Sequence, residues 1–99
     1  MIATVTACNG VPPSGDELER LFAEEGLTPR WWANSPGDTY GWHSHPYHKV
    51  LYCGGGSITF HTREEDLELR VGDRLDIPPG VEHAATVGRE GCRCIEAPR

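Results

Sequence analysis

Gly72-Asp73-Arg74-Leu75-Asp76-Ile77-Pro78-Pro79-Gly80-Val81-Glu82-His83 is the stretch that decides the fold. Gly72-Asp73 marks a tight turn, Arg74–Ile77 reads as a short strand, and Pro78-Pro79-Gly80 makes a rigid bend. The bend returns the chain toward a strand that opens on a histidine, His83. Upstream lies its counterpart, Gly37 to Gly56, which carries His43, His45 and His48 before the apolar run Lys49–Cys53 and Gly54-Gly55-Gly56. His43 and His45 stand two apart on an expected strand, so both side chains leave the same face. Their Cα atoms would then be roughly 6.6 Å apart, close enough for both imidazoles to reach one ion over bonds of about 2.0–2.1 Å.

Working outward, the remaining pattern is one of short strands. Arg30–Ser35, Thr39–Ser44, Lys49–Cys53, Ser57–Thr62, Leu67–Val71, Arg74–Ile77, Glu82–Val87 and Cys92–Ala97 are apolar or alternating segments separated by Gly, Pro or charged turns. That spacing predicts an all-β sandwich or barrel. One helix is expected, at about 15–25. Ser14 and Glu17 have capping-box spacing, Leu18, Leu21 and Phe22 share a face, and Gly26 is a natural stop. A short strand at 2–7 precedes it.

Ninety-nine residues, 37% of them apolar, make one domain, and 12 Gly with 8 Pro disfavour a helical bundle. The net charge of −6, with basic residues scattered singly, argues against nucleic acid and anionic membranes as partners. No apolar run is long enough for a membrane helix. Met1–Val5 lacks the basic and apolar regions of a signal peptide, so the chain is expected to be cytoplasmic. The cysteines at 8, 53, 92 and 94 are accordingly read as reduced, small apolar fillers.

The two histidine-bearing stretches resemble the cupin family. Its first motif, G-x5-H-x-H-x3,4-E-x6-G, is met at Gly37, His43, His45 and Gly56, and its second, G-x5-P-x-G-x2-H-x3-N, at Gly72, Pro78, Gly80 and His83. The resemblance is of the small single-domain type. It covers about residues 35–97, leaving 1–30 as an N-terminal strand and helix extension of the single domain 1–99. It implies a jelly-roll β-barrel of two antiparallel sheets with one short N-terminal helix, a tendency to form homodimers, and a small-molecule ligand or substrate. It also implies one divalent metal ion (Zn, Fe, Ni or Mn) held by His43, His45 and His83.

Two positions depart from the family pattern: Lys49 stands where the glutamate ligand falls, and Val87 where the final asparagine falls. By alternation Lys49 should point inward with the histidines. An ammonium about 5 Å from a dication is repelled by roughly 7 kcal/mol at an effective dielectric of 20. The sequence leaves open a three-histidine site, a four-histidine site in which Pro46 shifts the register and His48 joins, and a barrel without metal. Two functions stay open with them. One is a metal-dependent enzyme of dioxygenase, isomerase or lyase type, with Lys49 or Tyr47 as candidate acid or base. The other is a non-catalytic small-molecule-binding or sensor module. A structural zinc site on Cys92 and Cys94 is the weakest reading.

Overall fold

The computed structural model describes all 99 residues. The elements are β1 (Thr4–Thr6), α1 (Gly15–Glu24), β2 (Arg30–Asn34), β3 (Thr39–His43), β4 (Lys49–Thr62), β5 (Asp66–Arg70), β6 (Arg74–Ile77) and β7 (His83–Pro98). All strand pairs are antiparallel. The architecture is built on β4 and β7, which pair along nearly their whole length. Lys49–Cys53 of β4 and Cys92–Pro98 of β7 form one sheet with β6, β1 and β2. Ser57–Thr62 and His83–Val87 form the other with β5 and β3. The result is the expected jelly roll of two antiparallel sheets with one short helix.

The sequence suggested four separate short strands where the structure has two long ones. Gly54-Gly55-Gly56 does not end a strand. It carries β4 through two register shifts, between Cys53 and Gly55 and between Gly56 and Ile58. Bulges of this kind bend a strand without breaking its pairing. Gly56 has φ +64°, and a Cβ there would sit 2.0 Å from the carbonyl oxygen of Gly91 on β7. The two strands can cross here because Gly56 has no side chain, while a Cβ on Gly91 would instead sit 2.9 Å from the Asn34 carbonyl oxygen.

Alternation then divides the apolar residues into two cores. Leu51, Cys53, Cys92 and Cys94 point between the sheets and meet Leu75, Ile77, Ile58, Phe60, Leu69, Ala85 and Val87. Val50, Tyr52, Ile95 and Ala97 point the other way and are covered by Leu18 and Phe22 of α1. Ser14 and Glu17 close the capping box as expected, with Ser14 Oγ accepting from the Glu17 N–H and the Glu17 carboxylate accepting from the Ser14 N–H. The cysteines are free; Cys53, Cys92 and Cys94 are buried in the inner core. Val87, at the family's asparagine position, is also core. No helix is long and apolar enough to cross a membrane.

Gly56→Ala should lower stability by about 3 kcal/mol, combining left-handed strain with overpacking. Gly80→Ala, at φ +80° with nothing near its Cβ, should cost only the strain, about 1–2 kcal/mol. Urea denaturation of the two variants checks the difference.

Candidate metal centre and adjoining cavity

His43 and His83 are cross-strand partners on β3 and β7. β3 ends at His43, so His45 does not share a strand with it as the sequence suggested. His45 lies in the following loop, where its carbonyl accepts a hydrogen bond from the Gly80 N–H at 2.8 Å. The Pro78-Pro79-Gly80 bend thus positions two histidines, carrying His83 into its strand and pinning the His45 backbone. One ring nitrogen from each of His43, His45 and His83 lies within 4.8 Å of the others. The ring centroids are 4.2 to 5.2 Å apart.

Hydrogen bonds orient two of the rings. His43 Nδ1 lies 2.7 Å from the Gly41 carbonyl and His83 Nδ1 2.9 Å from the Val81 carbonyl. A carbonyl only accepts, so each Nδ1 donates and Nε2 is the ring atom left to face a ligand. His45 Nε2 and His83 Nε2 are buried with no hydrogen-bond partner. A buried polar atom left unpaired is costly and uncommon. Burial pushes the pKa of His83 down from 6.5 to about 4, with His43, Lys49 and His45 adding to the shift. It lowers that of His45 as well, again helped by the charge of Lys49. Neutral imidazoles with free lone pairs are the donor state a metal ion requires.

The other candidate residues are placed as follows. His48 does not join the cluster, and its Nε2 lies 2.8 Å from Asp76 Oδ1. Tyr47 stacks on His45, with centroids 5.0 Å apart and planes at 23°. Cys92 and Cys94 belong to no cluster of metal-ligating groups.

Lys49 points inward with Leu51 and Cys53 of its own strand, not by alternation from His43 and His45, since the loop 44–48 breaks that count, and it is 8% exposed. Its ammonium lies 3.1 Å from Glu96 Oε1, which also accepts from Trp32 Nε1 at 2.8 Å. Strand register explains the pairing. Glu96 is opposite Leu51 on one side and Arg30 on the other, so Lys49 and Trp32 are its diagonal neighbours on the inner face. Glu96 is the buried polar residue beside the site that sequence reading missed. The available signal was its period-two relation to Cys92 and Cys94, a carboxylate at an inward position of an apolar strand.

A cavity of about 190 Å³ opens beside His43. Trp32, Tyr40, Phe60 and Ala85 supply its apolar lining. Its polar groups come from His43, Glu96 and Arg30. Trp32 and Tyr40 meet edge to face at 5.7 Å, and the Tyr40 hydroxyl donates to Asn34 Oδ1. Trp31 and Trp42 are engaged elsewhere, Trp31 donating to Glu19 and Trp42 lying under the Arg63 guanidinium.

The fold and centre define a class, a small jelly roll with three convergent imidazoles beside an apolar cavity. Residues 31–97 match the Cupin_2 (Cupin domain) family, and the chain belongs to it. No curated protein matches the chain. Among solved structures it is similar to a cupin-2 domain protein from Shewanella frigidimarina, with 25% identity, TM-score 0.63, and 74% of this chain and 71% of the other covered. It is also similar to the DMSP lyase DddQ from Ruegeria pomeroyi, with 22% identity, TM-score 0.68, and coverage of 74% and 38%. A third is the polyketide cyclase RemF from Streptomyces resistomycificus, with 24% identity, TM-score 0.65, and coverage of 73% and 54%.

Two outcomes follow from the electrostatics. Glu96→Gln leaves the Lys49 ammonium buried beside a neutral amide and should cost about 3–5 kcal/mol, most of it recovered in the Lys49→Met/Glu96→Gln double variant. Urea denaturation of the single and double variants measures this. In chelator-treated protein the unfolded chain protonates His83 near pH 6.5 while the folded chain resists until about 4. Stability is therefore complete above 6.5 and falls as the pH drops through that window. Melting curves between pH 7 and 4 should show the decline, with a shallower slope in His83→Gln.

Proposed function

We propose that this chain binds one divalent metal ion through His43, His45 and His83 and uses it to act on a small organic molecule. The observation that carries the reading is the pair of buried, unpartnered Nε2 atoms on His45 and His83, within ligand distance of His43. An ion would satisfy both. All three donors are imidazole nitrogens, a set that suits zinc, iron or nickel better than manganese, which favours oxygen ligands. A metal bound there supplies Lewis acidity, a bound water of lowered pKa or, for iron, redox chemistry.

The chain's own residues would then orient and exclude. The Gly41 and Val81 carbonyls hold the tautomers of His43 and His83. Tyr47 fixes the plane of His45 by stacking, and its hydroxyl is a candidate proton carrier. Lys49, engaged by Glu96, is a candidate acid whose charge the carboxylate balances. The apolar walls of the cavity limit water around a bound substrate. Lyase and cyclase activities among similar folds support chemistry on small molecules but do not choose a reaction.

A second reading, a binding module without turnover, is favoured by one observation. The position that carries a ligating glutamate in the motif is here a lysine already engaged by Glu96.

Inductively coupled plasma mass spectrometry of the untagged protein should find close to one metal per chain. His83→Ala and the milder His43→Ala should each lose it, and His48→Ala should keep it. Protein that stays metal-free after reconstitution with zinc, iron and nickel would overturn the metal reading.

A further inference from the structure

We propose that the cavity beside His43 takes a small carboxylic acid with a flat apolar body, bound as its anion with the carboxylate between the metal centre and Arg30. The inference rests on the metal reading above and names the ligand class of that same site.

Size and lining come first. At about 190 Å³ the cavity falls below the roughly 300–1,000 Å³ of pockets for drug-sized ligands, so a single ring with one substituent is the scale that fits. Four of its seven lining residues are apolar, and Trp32 and Tyr40, packed edge to face, line it with aromatic surface. A polyol such as a sugar would leave most of its hydroxyls without partners against such walls, at a cost for each. A planar apolar body loses nothing there and gains aromatic contact.

Charge then selects the sign. The centre has three neutral imidazoles and no carboxylate among its convergent donors, so a bound dication keeps its full charge. Glu96 is the one carboxylate in the lining, and its charge is offset by Lys49, which lies 3.1 Å away outside the lining. Arg30 does not cancel. Its nearest carboxylate oxygen, Glu96 Oε2, is 3.9 Å away, and its side chain is 80% exposed. Glu96 meanwhile spends Oε1 on Lys49 and Trp32. The cavity therefore carries in its lining both His43 of the metal centre and an incompletely paired guanidinium. The planar fork of Arg30 matches a carboxylate in geometry as well as charge. Position 49 contributes to this selection. A glutamate there would place an anion where this chain has a neutralised pair, and a carboxylate ligand would lose much of its attraction.

The test is isothermal titration calorimetry on zinc-loaded protein with four probes: benzoate, benzamide, acetate and glucose. Benzoate should bind at least about tenfold more tightly than each of the others, since benzamide lacks the charge, acetate the body and glucose both. Arg30→Gln, on the exposed rim, should weaken benzoate by about tenfold and leave benzamide unchanged. Zinc content is measured on the same samples. Protein that holds zinc but binds benzamide as well as benzoate, or is indifferent to Arg30→Gln, overturns the ligand class and leaves the metal reading standing. Protein that fails to hold zinc yet binds benzoate in an Arg30-dependent way upholds the ligand class and removes the metal. Failure of both overturns both.

Discussion

The pairing of β4 with β7 is the constraint on which the rest of the structure depends. Two strands of 14 and 16 residues stay hydrogen-bonded while passing from one sheet to the other. They do so by bending together where Gly56 of one meets Gly91 of the other. Every other strand pairs with one of these two, save β1, which reaches them through β6. The two cores follow from the same pairing. Once the strands are in register, alternation sends Leu51, Cys53, Cys92 and Cys94 inward and Val50, Tyr52, Ile95 and Ala97 toward α1.

The site is a consequence of the same register. His83 opens β7 and meets His43 across the ladder, while the Pro78-Pro79-Gly80 bend holds the His45 loop against it. Near the far end of β7, Glu96 lies between β4 and β2 and takes a hydrogen bond from each, from Lys49 and from Trp32. A lysine that would oppose a metal is thereby held as half of a neutral pair. Neither the three imidazoles nor the Lys49–Glu96 pair is formed by chain neighbours alone. Each depends on a contact between residues tens of positions apart, His43 and His45 with His83 and Lys49 with Glu96, and each is fixed by the order of the strands and the loop that joins them.

Much of this was legible in advance. The turn and bend at 72–80 and the capped helix depend on local stereochemistry, which acts over a few residues. The convergence of His43, His45 and His83 was legible through the two spaced motifs, although the reason given for His43 and His45 was only partly correct, since β3 ends between them. The run of glycines at 54–56 misled the strand count. Glycine permits a turn and a bulge alike, and only the partner strand decides which forms. His48 was equally ambiguous, because the loop from Ser44 to His48 sets its direction and Asp76, twenty-eight residues on, completes it.

What the sequence determined by itself is what local geometry and periodicity encode, an all-β chain with one helix and its turns, while the convergence of the three histidines was what the resemblance of its two motifs implied. Tertiary structure alone decided the partner of Lys49, the resting place of His48, the continuity of β4 and β7, and the cavity formed by Trp32, Tyr40 and Phe60. The physical reason is that electrostatic pairing and cavity shape depend on distances across strands. A chain specifies those distances only after its register and its bends are set together.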